Sequence, residues 1–243
     1  MKIVLPIAGR ETVPEGSQYI LSLYEIERET VLSHIYNSLK TIEGAEFIVI
    51  LRKEDIAKYH LNNIVRLLIP GVKIISPEED TMGSACTAML AIDDIDDEEP
   101  MIIAASNQLF VDDADRIVRF FREQDYDGGV VTFEDIHPKY SYVKLDEDGL
   151  VIEAAEKRPI SRNATAGFYY FKHSRDFVNS TISMIRKNAN VNGMYYLCPV
   201  FNEMILEGKR IGVYPIERNH YFFFKEQSGI DAYRDYLIRQ RKG

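Results

Sequence analysis

Tryptophan is absent from this chain, cysteine occurs twice, and no apolar run approaches the roughly 18 residues needed to cross a bilayer. The two cysteines, Cys86 and Cys198, have neither CxxC nor Cys/His spacing. That excludes a disulfide framework and a zinc finger, and the pair reads as buried thiols in a reducing compartment. Basic residues are outnumbered, with 29 Lys+Arg against 38 Asp+Glu and a net charge of −9. A nucleic-acid partner is therefore not expected, because phosphate neutralisation needs clustered Lys and Arg. A nucleotide ligand stays open, since it needs only a local nest of amides and one or two cations. The cluster Arg239, Arg241 and Lys242 reads as complement to a helix dipole. The opening Lys2-Ile3-Val4-Leu5 reads as a strand and not as a signal peptide, so the expectation is a cytoplasmic chain with no membrane partner. Glycine-rich phosphate loops are missing as well: Gly9 and Gly16 flank a loop that is neither a P-loop nor GxGxxG.

What is present is the balance of one globular domain of 243 residues, 46% hydrophobic and 28% charged. Short apolar segments alternate with helical spacing through the first half. Strands are expected at 2–8, 46–51, 72–75 and 100–105, with helices at 30–40 and 83–92 and a charged helix carrying Ile56, Ile64, Val65 and Leu68. A helix at 112–124 closes this half. Beyond it strands crowd together at 128–133, 141–145, 150–155 and 164–171, with a hairpin turn at 146–149. Helices at 174–187 and 199–207, strands at 211–215 and 221–224 and a helix at 226–239 complete the chain. The fold class is α/β, a doubly wound, mostly parallel Rossmann-like sheet with an antiparallel C-terminal portion. Residues 1–125 and 126–243 are expected to be the two halves of a single domain. The acidic run 93–99 reads as a solvated connection.

Ligands of such sheets sit beyond the carboxyl ends of the strands, which points to three loops. Ala8, Gly9 and Arg10 follow the first strand. Met82 and Gly83 precede a helix, where small residues let a planar base lie on backbone; a plain capped helix start is the alternative. Ser106, Asn107 and Gln108 close the fourth strand. Glu156 and Lys157 could grip a phosphorylated polyhydroxyl compound, carboxylate to hydroxyl and ammonium to anion, although neighbouring strand residues point to opposite faces unless the strand ends there. The five histidines share no spacing; His34 and His60 read as structural or solvated.

Residues 139–146, 151–161, 164–171 and 192–202 carry a resemblance. The stretches Ser141-Tyr-Val-Lys-Leu145, Glu153-Ala-Ala-Glu156-Lys157, Ala164-Thr-Ala-Gly167 and Tyr195-Tyr196-Leu-Cys-Pro199 through Asn202 resemble the sugar-nucleotide pyrophosphorylase (NTP-transferase) family of GT-A fold, in particular its bacterial capsule and surface-polysaccharide branch. The resemblance implies that Glu156, Lys157, Gly167, Tyr195 and Asn202 serve the sugar phosphate. It implies that Ala8, Gly9, Met82, Gly83 and Ser106 serve the nucleotide. The implied reaction joins a phosphorylated small molecule to a nucleoside triphosphate with Mg²⁺, in a chain that could form a homo-oligomer or bind a partner enzyme.

Three positions depart from the family pattern. Its loop lysine falls at about Tyr19, its metal-binding Asp after strand four is Asn107, and residues 219–225 replace its late tryptophan-containing metal motif. An active transferase would therefore use Arg10, Asn107 and Lys225 as its catalytic set, with Asn107 lending an amide oxygen to Mg²⁺. A binding protein of this fold without catalysis is the second reading. A glycosyltransferase of the same fold is the third and weakest, since Asp113-Ala-Asp115 has the spacing of an acidic donor-metal pair but reads as helix N-terminal acid. The transferase is the function expected.

Overall fold

The computed structural model describes residues 1–9 and 17–241. The first strand, β1 (Lys2–Pro6), is followed by a small hairpin, β2 (Glu25–Ile26) and β3 (Glu29–Thr30), and then α1 (Val31–Leu39). The hydroxyl of Thr30 caps α1 by accepting from the Ser33 amide. Next come β4 (Glu46–Ile50), α2 (Lys53–Tyr59), α3 (Leu61–Leu68), β5 (Lys73–Ile75), α4 (Ser84–Met89), β6 (Met101–Ala104), β7 (Gln108–Phe110) and α5 (Ala114–Glu123). The single charged helix expected here is two, because His60 adopts a left-handed backbone (φ 52°) that ends α2 and starts α3. Of its expected core positions only Val65 is fully buried, joined by Leu61. The rest of the chain is β8 (Gly128–Glu134), β9 (Ser141–Leu145), β10 (Val151–Glu156), β11 (Asn163–Phe171), α6 (Ser174–Arg186), α7 (Val200–Leu206), β12 (Ile211–Pro215), β13 (Tyr221–Phe223) and α8 (Gln227–Gln240).

Among the described residues nine strands form one sheet, whose main path runs β10-β9-β11-β6-β1-β4-β5, with β8 beside β11 and β12 beside β8. β6, β1, β4 and β5 are parallel, while β11 runs antiparallel to β6, β8 and β9. This is the α/β sheet expected, with its antiparallel part where strand signals crowd. Alternate residues feed two cores. Ile3, Leu5, Val49 and Ile102 face Ile35, Val65, Ile117 and Phe121 on one side, and Val4, Ile48, Ile50 and Ile103 face Ala88, Phe177, Phe201 and Met204 on the other.

Two local features open the sheet where a ligand could enter. β11 pairs with β9 at Asn163 and Ala164 but with β6 from Phe168 onward. Its change of partner coincides with a register shift between Thr165 and Tyr169, where Gly167 takes φ +71° and its carbonyl accepts from the Ala105 amide at 2.8 Å. The strands diverge there, leaving a crevice between the end of β6 and the ends of β9 and β10. The second feature is the two-stranded ladder of β13 and β7, which brings the end of the chain against the segment following β6. Asp113 lies elsewhere: its carboxylate caps α5 by accepting from the Asp115 and Arg116 amides, and Asp115 accepts from the Glu43 amide and pairs with Arg119. Both acids thus stand at the helix N-terminus, as expected for them, Asp113 as the cap and Asp115 in the first turn.

Candidate functional site

Two cavities of about 250 Å³ each open along this crevice. The first is lined by Ala105, Gln108, Lys139, Tyr140, Ser141, Glu156, Lys157, Thr165, Tyr169, Leu197 and Phe223. The second lies over Ile7, Gly9, Leu21, Thr81, Gly83, Thr87 and Met194. Pro6, Ser84, Ser106, Asn107, Tyr196 and Lys225 line both and form the wall between them.

Glu156 is the last residue of β10, and Lys157 turns out of the strand with φ +53°. That left-handed step lets adjacent residues face one cavity, which two consecutive strand residues could not do. The Glu156 carboxylate accepts from the Ser141 hydroxyl. Burial pushes its carboxyl above the ordinary 4.5, opposed by that hydrogen bond and by the charges of Lys157 and Lys225. The Lys157 ammonium donates to the Tyr196 hydroxyl at 3.1 Å and lies 5.0 Å from that ring's centre. Lys139 is ion-paired to Glu226 at 2.6 Å and lies over the Tyr140 and Phe223 rings. At the floor, the Tyr169 hydroxyl shares a 3.0 Å hydrogen bond with Thr165, and burial pushes its phenol well above its usual range.

Asn107 and Lys225, 118 positions apart, meet at the wall through the β7–β13 ladder. The Phe224 amide donates to the Asn107 carbonyl at 2.9 Å, and the Tyr221 hydroxyl donates to Gln108 Oε1 at 2.6 Å. The aromatic run 221–224 is thus a mostly buried strand, with Phe223 half-buried and turned toward the first cavity. Beside the second cavity Gly83 takes φ +110°, and a Cβ on it would lie 2.4 Å from the Tyr195 carbonyl oxygen. The Tyr195 amide donates to the Met82 carbonyl at 2.8 Å, and the Tyr195 carbonyl accepts from the Ala85 amide at 3.0 Å.

The crevice brings together Gly9, Gly83, Ser106, Asn107, Glu156, Lys157 and Lys225. Met82 lies exposed on the same turn. Arg10 lies outside the described residues. Four of the expected site residues stand behind the lining. Ala8 is packed in the core. Beside Gly167 the expected ligand space is filled by the Gln108 side chain, 2.5 Å from where a Cβ would be. Asn202 reaches the Ala154 amide and carbonyl at 2.8 Å each and so pins β10. Tyr195 is buried against the Met82–Ala85 turn, and the next residue, Tyr196, lines both cavities instead. Ser141, Lys139 and Tyr196 were within the resembling segments, but alternation along irregular backbone does not tell which of two neighbours turns inward.

The cysteines take no part. Cys198 is fully buried, and burial pushes both thiols up, away from the reactive thiolate.

Comparison with known proteins agrees with this fold. Of solved structures, the nucleoside-diphosphate-sugar pyrophosphorylase of Vibrio cholerae superposes with a TM-score of 0.79 at 24% identity, covering 97% of this chain and 99% of that one. The inositol-1-phosphate CTP transferase of T. maritima gives a TM-score of 0.70 at 13% identity, covering 94% and 90%. A curated relative, the bifunctional protein GlmU of Staphylococcus carnosus, is 22% identical over 221 residues, 87% of this chain and 46% of its own length. The chain thus spans about half the length of that relative. Residues 22–192, more than two thirds of the chain, match the nucleotidyl transferase family, and the chain belongs to that family.

Proposed function

We propose that this chain transfers a nucleotidyl group from a nucleoside triphosphate to a sugar phosphate or similar small phosphate, in surface-polysaccharide biosynthesis. The observation that carries the reading is the pair of cavities with a common wall. A nucleotide in the cavity of Gly9, Gly83 and Thr87 and an acceptor in the cavity of Glu156 and Lys157 would meet at Ser106, Asn107 and Lys225. An acceptor phosphate oxygen attacks the α-phosphorus, a new P–O bond forms, the bond from Pα to the bridging oxygen breaks, and pyrophosphate leaves with that electron pair. Such transfer rests on positioning and on charge neutralisation. Lys225 supplies charge at the wall. Asn107 and Ser106 orient the phosphates, Glu156 accepts acceptor hydroxyls and Lys157 holds the acceptor phosphate.

Nucleotidyl transferases of this family typically work with a divalent metal. Among the described residues no group of three or more His, Cys, Asp or Glu side chains comes together. Glu156 is the single carboxylate among the described lining residues, and Asn107 adds only a neutral amide. That donor set does not fit a resident Mg²⁺, which prefers charged oxygen ligands. The same deficit favours a second reading, a protein that binds a phosphorylated sugar without turning it over.

Pyrophosphate release, measured with each of the four nucleoside triphosphates, Mg²⁺ and a panel of sugar phosphates, separates the two. Release above a heat-inactivated control with one pair of substrates is the expected result. No release with any pair, alongside measurable sugar-phosphate binding, would leave the second reading standing.

A further inference from the structure

Phosphates gathered at the common wall need positive charge, and the described residues supply it as ammonium groups. Lys225 lines both cavities, while Lys139 and Lys157 line the first. The carboxylate that faces these lysines, Glu156, is itself bonded to Ser141. Beside Lys225 stands Asn107, with an uncharged oxygen. The hydrogen bond from the Phe224 amide to the Asn107 carbonyl fixes the backbone on both sides of this pair. Among the described residues, a divalent cation placed between Asn107 and Lys225 would meet an ammonium group and a neutral amide, the reverse of the charged oxygen shell it favours. An ammonium group carries its own charge and binds phosphate oxygen directly.

We infer that Lys225 is the built-in counter-charge for a nucleotide's phosphates at this wall, so that nucleotide binding by this chain does not require a divalent cation. The inference rests on the nucleotidyl-transfer reading. The four nucleoside triphosphates, titrated calorimetrically into the full chain with magnesium chloride or with EDTA, test it.

One triphosphate should bind with affinities within about threefold of each other in the two buffers. Lys225→Met should lose about tenfold or more in both buffers, and Lys225→Arg should keep most of the affinity. Lys225→Asp should bind only with magnesium. Lys225 is exposed, so all three variants are expected to fold, checked by a cooperative thermal melt for each. Wild-type binding that disappears in EDTA, or a Lys225→Met variant that binds as wild type does, overturns the inference and leaves the nucleotide reading intact. Failure of all four triphosphates to bind in either buffer overturns the nucleotide reading, and the inference with it.

Discussion

Glu156 combines burial with a facing pair of cations, and the balance sets its proton affinity. Burial is the largest influence and pushes the carboxyl up; the Ser141 hydroxyl, Lys157 and Lys225 oppose it. A carboxyl that holds its proton more tightly in the folded than in the unfolded chain contributes stability at low pH. That contribution is fully present below the ordinary 4.5 and is lost as pH rises through the folded-state value. Glu156→Gln should therefore melt higher than wild type at pH 7, and the difference should close below about pH 4.5, read from thermal melts across pH. The same variant should lower kcat/KM for the acceptor by about 10- to 100-fold, the worth of a hydrogen bond to a charged group. Lys157 makes a complementary test at the same scale. Lys157→Met should raise the acceptor KM by about tenfold or more while leaving nucleotide binding nearly unchanged, because Lys157 lines the first cavity alone.

At the scale of elements, the crevice depends on close backbone approaches. The turn before α4 is held to residue 195 by two backbone hydrogen bonds, with Gly83 pressed against the Tyr195 backbone. Gly83→Ala combines a positive φ with a Cβ that would sit inside the van der Waals contact of a carbonyl, so it should cost about 3 kcal/mol or more in urea unfolding. The α8–β13 contact is built the same way: a Cβ on Gly229 would lie 1.9 Å from the Phe223 carbonyl oxygen. Gly229→Ala should push α8 off the short strand that leads into Lys225. A loss of about 1–3 kcal/mol in stability is expected, together with weaker nucleotide binding measured by calorimetry.

For the whole molecule, the last helix ties the first half of the chain to the end. His34 on α1 has Nε2 at 2.9 Å from the Ile26 carbonyl, which can only accept, so Nε2 carries the hydrogen. Its Nδ1 is then the acceptor for the Tyr233 hydroxyl of α8, at 3.1 Å across 199 positions. Tyr233→Phe leaves that buried nitrogen without its donor and should cost about 1–3 kcal/mol. Because the two cores share one sheet, the loss should appear as a shift of a single cooperative urea transition.

The sheet was legible because it rests on local pattern. The apolar runs that give β1, β4 and β6 are buried on both faces, and Asp146 with Gly149 marks the β9–β10 turn through a side-chain cap and φ +80°. Less visible was the break at His60, since a left-handed histidine has no signature that separates it from a helical one. The antiparallel partners of β11 were equally hidden, because strand pairing joins distant residues.

Sequence by itself determined the α/β class, the approximate bounds of the larger elements and the residue types available to a phosphorylated ligand, since these follow from periodicity and composition. Tertiary structure alone decided which of them meet. The partner switch of β11 at Gly167 opens the crevice, the left-handed step at Lys157 turns two neighbours to one side, and the β7–β13 ladder sets Lys225 beside Asn107. Each is a consequence of backbone geometry between segments far apart in the chain, which no local pattern of side chains encodes.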